Sequence, residues 1–247
     1  MRMKKVFLAL VTAMLTIGMT ATALAAGSFS VKADELQYDL ETGQGVAKGH
    51  VIVVQDGAQA TADYAEFNSK DKTGTFTGNV ILQKDGGQVV CQKLLLQGEN
   101  SFSAVGEATV QHEGRTLQAD RIDYDKVAGY ATTAGGWARL IDVDGSTMDA
   151  EKIDYQLQQA VAQAYGGVKI YSEARNLQAS ADQVLYETKA NGKLELLGNA
   201  KATQNGNSVE GERLSLLNNT VAQIEGSVKI IYLPENSQVK QETAAMA

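Results

Sequence analysis

Apolar and polar residues alternate along most of the chain, in short runs that begin at a glycine. The first clear run, GHVIVVQDG at residues 49–57, has a near copy in GNVILQKDG at residues 78–86. Alternation of period two, rich in Val, Ile, Thr and Tyr, is typical of β-strands. The Asp-Gly pair that closes both runs favours a tight hairpin turn. Each run is therefore predicted to be a strand that ends in a hairpin.

The glycines that open these runs recur at a nearly constant spacing. They are Gly49, Gly78, Gly106, Gly136, Gly166, Gly198 and Gly226, with steps of 29, 28, 30, 30, 32 and 28 residues. In five of the units a turn glycine follows, at Gly57, Gly86, Gly114, Gly145 and Gly206. Glycine inside a strand marks a bend or a bulge. A bend in every unit is expected to fold the sheet lengthwise into a trough.

A second motif recurs with the same period and reads small, acidic, any, apolar, any, apolar. Its copies are ADELQY (33–38), ADYAEF (62–67), CQKLLL (91–96), ADRIDY (119–124), AEKIDY (150–155), ADQVLY (181–186) and GERLSL (211–216). Two motifs at one period indicate a repeat architecture. The predicted fold class is all-β, an antiparallel solenoid of about seven two-strand repeats and about fourteen strands.

The apolar positions of both motifs fall on one side of each strand and are predicted to line the inside of the trough. The residues assigned to this lining are Leu36, Tyr38, Val51, Val53, Phe67, Val80, Leu82, Leu94, Leu96, Val110, Ile122, Tyr124, Leu140, Ile153, Tyr155, Val168 and Ile170. The pattern alone leaves open whether they form a dry, closed core or a groove that admits a ligand.

The two ends of the chain differ from the repeat. Residues 1–25 combine a basic start, an apolar stretch and an Ala-Leu-Ala site, which predicts a signal peptide cleaved after Ala25. An uncleaved membrane anchor is the alternative. The repeat domain is placed at residues 26–233, and residues 234–247 are expected to form a disordered tail.

Charge and cysteine content exclude several classes of function. The formal net charge of −7 becomes −10 once the three basic residues of the predicted signal peptide are removed. So acidic a protein is unsuited to nucleic acid, because it offers no excess of cations to replace phosphate counterions. Cys91 is the single cysteine, so an internal disulfide is impossible.

The sequence predicts no catalytic residue, no cofactor and no metal site. Cys91 falls at the small-residue position of the second motif, and His50 and His112 lie in different units, too isolated to be zinc ligands. The acidic position of the motif fits a repeated local hydrogen-bond role better than an ion-binding ladder. Its carboxylates are Asp34, Asp63, Asp120, Glu151, Asp182 and Glu212. Nucleotide-binding, metalloprotease and serine-hydrolase motifs are absent from the sequence.

Together, the two motifs resemble the OstA-like, or LptA-like, family of lipopolysaccharide-transport proteins. The resemblance rests on ADELQYDLETGQGVAKGHVIVVQDGAQATADYAEFN and its echoes GNVILQKDG and ADRIDY, and it covers nearly all of residues 31–232. It implies a V-shaped β-jellyroll whose apolar groove holds the acyl chains of lipopolysaccharide, that is, of lipid A. On this resemblance the lining residues given above are assigned to a lipid-binding groove. Glu107, Trp137 and Gly167 depart from the family pattern, which leaves the strand register at those bends open.

The resemblance also implies a cellular location and a mode of assembly. Family modules stack edge to edge, with copies of themselves or with like-folded modules, into a periplasmic bridge between the inner and outer membranes. The first strand (31–38) and the last (226–232) are expected to be free for such pairing, since no proline precedes Pro234. Two other functions remain open. One is a membrane-anchored adaptor of the same transport system, and the other is a closed-core extracellular β-solenoid that acts as a spacer.

Overall fold

The computed structural model describes residues 29–232, apart from residues 85, 113, 126, 157, 160, 175, 188–192 and 218–220. The predicted signal peptide and the predicted C-terminal tail lie outside these described residues. Within them, no helix is long and apolar enough to cross a membrane.

All regular secondary structure in the described residues is β-strand. The strands are β1 (Phe29–Lys32), β2 (Glu35–Tyr38), β3 (Gln44–Gln55), β4 (Ala58–Asn68), β5 (Thr73–Lys84), β6 (Gly87–Gln97), β7 (Ser101–His112), β8 (Arg115–Asp125), β9 (Tyr130–Ile141), β10 (Thr147–Ala150), β11 (Lys152–Gln156), β12 (Val161–Ser172), β13 (Leu177–Glu187), β14 (Lys193–Gln204), β15 (Asn207–Leu217), β16 (Val221–Glu225) and β17 (Lys229–Ile231). They form one antiparallel sheet of 17 strands, which confirms the predicted all-β fold.

The strands pair in the order of the sequence, as a meander. In three places two short strands share one position in the sheet: β1 and β2 both pair with β3, β10 and β11 both pair with β9 and β12, and β16 and β17 both pair with β15. Each couple is one long strand interrupted at its middle. The 17 strands therefore occupy fourteen positions across the sheet, the number that seven two-strand repeats predict.

A bend crosses the middle of every long strand. At the first bend Gly49 and His50 both have a positive φ, 70° and 47°, and the pairing between β3 and β4 shifts between Lys48 and Val51. Because two residues on β3 oppose one on β4, each bend is a β-bulge. The same shift recurs at the bends of β5, β7, β12 and β14. Glu107 and Gly167, whose register the sequence left open, thus fit the regular pattern.

The fourth bend corrects the sequence alignment. The bend glycine there is Gly135 rather than Gly136, because Gly135 is the one that lies against Asp120. Three residues of β9 oppose Asp120, since Ala119 pairs with Ala138 and Arg121 pairs with Ala134. Trp137 is the extra residue in this bulge, and 41% of it is exposed to solvent.

Tight turns join the strands at one side of the sheet, as the Asp-Gly and Asn-Gly pairs predict. In the turn Asp56-Gly57 the φ angles are 51° and 78°, and Gln55 pairs directly with Ala58. Asn205 and Gly206 have φ angles of 50° and 80°. Positive φ at both central residues defines a type I′ hairpin, whose twist matches that of the flanking strands.

The bends divide the sheet into two walls that face each other. The first wall holds the strand halves that end at the first rim, where β3 joins β4, β5 joins β6, β7 joins β8 and β9 joins β10. The second wall holds the halves that end at the second rim, where β2 joins β3, β4 joins β5, β6 joins β7 and β8 joins β9. A continuous cluster of buried apolar residues fills the bottom of the trough between the walls.

Candidate functional site

Strand register aligns the inward-facing residues into continuous rows that run across the sheet. One row on the second wall starts at the N-terminal edge, with each residue paired to the next: Leu36, Ala47, Ala65, Phe76, Leu94, Ala104, Ile122 and Thr133. In five of the seven pairs of this row a large side chain lies beside a small one, and the exceptions are Ala47–Ala65 and Phe76–Leu94. Such interlocking gives the lining the close packing of a protein interior.

In the next row toward the second rim, an aromatic ring lies beside small residues. Phe67 pairs with Gly45 on one side and Gly74 on the other. A Cβ atom at Gly45 would lie 2.3 Å from Cζ of the Phe67 ring, so only glycine leaves room for that ring. Phe102 and Tyr124, paired across β7 and β8, stack with their ring centroids 5.4 Å apart. Their stacking geometry is favourable for aromatic pairs.

Most residues predicted to line the trough face its interior, at three depths. Twelve are buried in its packed interior: Val51, Val53, Phe67, Val80, Leu94, Val110, Ile122, Tyr124, Leu140, Ile153, Tyr155 and Val168. Four are partly buried against the core: Tyr38, Leu82, Leu96 and Ile170. Leu36 is 48% exposed although its partner Ala47 is fully buried, because Leu36 lies at the open edge of the sheet.

An open groove of about 640 Å³ lies between the two walls in the N-terminal half of the molecule. Its apolar lining comprises Phe29, Val53, Ala58, Ala60, Phe67, Phe76, Leu82, Val89, Leu96, Phe102, Val110 and Tyr124. Six of these were predicted from the motifs: Val53, Phe67, Leu82, Leu96, Val110 and Tyr124. The predicted residues Val51, Val80, Leu94 and Ile122 lie beneath the groove, no more than 1% exposed.

The motifs missed several groove residues because the strands are longer than the motifs. Phe76 and Phe102 lie on the N-terminal side of the bend glycine in β5 and β7, outside both motifs. The period-two alternation continues through these segments and was the signal that could have found them. Phe29 precedes the first motif copy and joins the lining because β1 pairs with the end of β3.

Contacts across the mouth bridge the two rims near the N-terminal end of the groove. The side-chain amide of Gln55, at the end of β3, donates to the backbone carbonyl of Ser69 beyond β4 at 3.2 Å. Lys72 Nζ lies 2.9 Å from Asp56 Oδ2 on the opposite rim and also contacts Glu99. These contacts form the rim bridge, which closes the groove above the aromatic residues at its end.

Three aromatic rings close that end of the groove. Phe29 comes from the first wall, and Tyr38 and Phe67 come from the second. The ring centroid of Phe29 lies 6.0 Å from that of Tyr38 and 5.7 Å from that of Phe67. The walls therefore touch at this end, beneath the rim bridge, and separate farther along the sheet, where the groove opens.

Two ionisable groups buried among the apolar residues of the trough, Cys91 and Tyr124, are held neutral. Burial raises the pKa of the Cys91 thiol to about 11, so the thiolate that a nucleophile would need is scarce at neutral pH. Burial, with a smaller contribution from Asp125, raises the pKa of Tyr124 to about 12. With these two groups neutral, the deep part of the groove can accept hydrocarbon.

The acidic position of the second motif has a structural role at the bends. Asp63 accepts a hydrogen bond from the Asn79 side chain at 2.9 Å, and Asp182 accepts one from Asn199 at 2.9 Å. Asp120 accepts one from Trp137 Nε1 at 2.8 Å. These bonds confirm the expected local role. In the described residues no group of His, Cys, Asp and Glu is arranged to hold a metal ion.

Comparison with known proteins gives one family match and a similarity to a solved structure. The model of the family described as LptA/(LptD N-terminal domain) LPS transport protein matches residues 59–222. A solved structure of LptH, described as the LptA-homologous periplasmic component of the lipopolysaccharide transport device of Pseudomonas aeruginosa, is 14% identical. The match covers 84% of this chain and 96% of that one, with a TM-score of 0.15. No curated protein matches the sequence.

Proposed function

Because the chain belongs to the LptA/(LptD N-terminal domain) family of LPS transport proteins, we propose that it carries lipopolysaccharide by holding its acyl chains in the groove. The observation that supports this function is the open apolar space of about 640 Å³ between walls that are otherwise closely packed. Ligand sites of globular proteins have volumes of about 300–1,000 Å³ and are mainly apolar with a few polar groups. The family is one of transport proteins rather than of enzymes.

Hydrocarbon burial is sufficient for binding. Each buried methylene contributes about 0.8 kcal/mol, so an acyl chain of about fourteen carbons contributes about 10 kcal/mol before the cost of ordering it. The rows of inward residues repeat from strand to strand, which would give neighbouring positions along the trough similar affinity. Directed movement then requires an energy source outside this protein, because equal sites supply none.

Assembly into a bridge would use the two open edges of the sheet. The first position, β1 and β2, runs from the first rim to the second, and the last, β16 and β17, runs back from the second rim to the first. A copy placed head to tail would therefore continue the antiparallel pairing. An apolar inward-facing residue is exposed at each edge: Leu36 is 48% exposed and Ile230 is 63% exposed. Such a contact is heterologous and can extend through many copies.

The proposed site of action is the periplasm. The predicted signal peptide and the family both support export across the inner membrane. The membrane-anchored adaptor predicts instead that residues 1–25 are retained. The intact mass of the exported protein separates the two, because cleavage after Ala25 removes those residues and an anchor keeps them.

Neighbouring residues on β5 provide the test of lipid binding. Leu82 lines the groove, whereas Ile81 points to the outer face and is 36% exposed. A photoreactive amino acid in place of Leu82 is expected to form an adduct with lipopolysaccharide on irradiation, and one in place of Ile81 is expected to form none. Equal adducts at both positions, or none at Leu82, would contradict a groove and favour the closed-core spacer.

A further inference from the structure

Beyond the rim bridge, the described residues at the mouth of the groove include a lysine and a histidine, although the protein as a whole is acidic, with a net charge of −7. Among the described residues that line the groove, the carboxylates are Asp56 and Glu99, and Lys72 contacts both. Lys84 and His112 also line it, on the first rim. In the described part of the chain no carboxylate forms an ion pair with Lys84.

A notch separates these two side chains. Lys84 and Gly87 are paired across β5 and β6, and His112 lies on β7 beside Gly87. Because Gly87 has no side chain, it leaves a gap between Lys84 and His112, and a Cβ atom there would lie 3.2 Å from the His112 ring. The Nδ1 atom of His112 is buried and has no hydrogen-bond partner in the described residues. An unpaired buried polar atom is costly unless a ligand or water satisfies it.

We propose that Lys84 and His112 form a subsite, around the notch at Gly87, for a phosphate group on the head group of the bound lipid. The proposal rests on the lipid-carrying function and specifies how its ligand is oriented. Lysine recognises phosphate as a point charge, and charge-assisted hydrogen bonds are stronger than neutral ones. Asn100 and Ser101 on the opposite rim supply neutral hydrogen-bonding groups. Acyl chains would then enter the apolar groove while the phosphate stays at its mouth.

This arrangement would distinguish lipids by their head groups as well as by their chains. The deep part of the groove is apolar and accepts any hydrocarbon of suitable size. The subsite adds a preference for a phosphate at a fixed distance from the acyl chains, so it would fix the register of the lipid along the trough. An acidic protein that carries an acidic lipid thereby keeps a local attraction at the one point where the head group lies.

The test compares two forms of one acylated glucosamine disaccharide, the bisphosphorylated form and the fully dephosphorylated form, in binding to the full-length mature protein. The wild type is expected to bind the phosphorylated form at least tenfold more tightly. Lys84→Gln and His112→Phe are expected to reduce that preference to less than threefold. Gly87→Leu, which fills the notch without changing charge, is expected to do the same. Lys93→Gln is the control, since Lys93 is an exposed lysine of the neighbouring β6.

Equal affinity of the wild type for the two lipids would overturn the subsite while leaving the groove intact, and so would a preference that survives Lys84→Gln. Inorganic phosphate that binds the wild type as tightly as the phosphorylated lipid would overturn the assignment to a head group. Failure of the wild type to bind either lipid would instead contradict the lipid-carrying function itself. Circular dichroism melting of each variant separates loss of binding from loss of folding.

Discussion

Each residue of the repeat is defined by its position in the unit more than by its chemical type. Cys91 occupies the position of Ala62 and Ala119 and is buried as they are, and its raised pKa keeps the thiol protonated at neutral pH. His50 occupies the position of Asn79, and both side chains bond to an aspartate beside the bend. Residues that suggest chemistry in isolation therefore act here as parts of the bends and walls.

The pair His50–Asp34 gives a prediction for pH. His50 Nδ1 lies 2.7 Å from Asp34 Oδ2, and this hydrogen bond, then the charge of Asp34, raises the pKa of His50 above its ordinary 6.5. Because the folded-state pKa is raised, the contribution of this pair to the stability of the fold is complete at pH values below the unfolded-state pKa. It is lost as the pH rises through the folded-state pKa. NMR titration is expected to show His50 above 6.5 in the wild type and nearer 6.5 in Asp34→Asn.

Asp63 provides the control for that titration. It acts on His50 only through its charge and is the smallest contributor to the raised pKa. Asp63→Asn is therefore expected to move the His50 titration much less than Asp34→Asn does. If the two variants shift it equally, the hydrogen bond to Asp34 is not the cause.

At the scale of the strand, the bend combines two separate requirements. The first is the positive φ of the bend residues, and the second is close contact between the bend glycine and the acidic residue of the preceding strand. At Gly78 both apply, since φ is 80° and a Cβ would lie 2.3 Å from Asp63 Oδ2. At the turn residue Gly57 only the first applies, since φ is 78° and a Cβ there would meet open space.

Alanine substitution separates these requirements. Gly57→Ala is expected to lower the free energy of unfolding by about 1–2 kcal/mol, the cost of a left-handed conformation with a Cβ. Gly78→Ala is expected to lower it by about 2–5 kcal/mol, because crowding adds about 1–3 kcal/mol. The double variant Asp63→Ala/Gly78→Ala should recover part of that loss relative to Gly78→Ala in urea denaturation. Equal losses for the two single variants would show that the contact is unimportant.

The sequence predicted the elements well because their causes are local. Turn pairs such as Asp56-Gly57 and the bend glycines can be recognised by residue type, and the alternation of apolar and polar residues indicates which face of a strand points inward. The place of Trp137 in the fourth bend was not predicted, because an extra residue in a bulge changes the strand register without breaking the glycine pattern. The interruption between β10 and β11 depends on pairing with β9 and β12, which no short segment encodes.

At the scale of the whole molecule, the position of the groove could not be read from the repeat. The inward rows are similar in both halves, yet the groove lining runs from Phe29 to Tyr124. Farther along, Tyr155 and Tyr186 pack with Ala162 in a second buried cluster. Whether facing walls touch or separate depends on how side chains from distant strands fit together, and the alternation of apolar and polar residues carries no information about that fit.

An even number of strand positions makes head-to-tail stacking possible, and charged edge variants can test it. A lysine at an inward position of an edge strand blocks pairing. Leu36→Lys blocks the first edge and Ile230→Lys blocks the last, so each variant alone is expected to be monomeric in sedimentation velocity. Mixed in equal amounts they should form dimers and nothing larger, because one compatible pair of edges remains. Ile81→Lys, on the outer face, should assemble like the wild type. Dimers of either edge variant alone would mean that like edges pair, which contradicts head-to-tail stacking, and if only one edge paired in this way the assembly would end at a two-fold symmetric dimer.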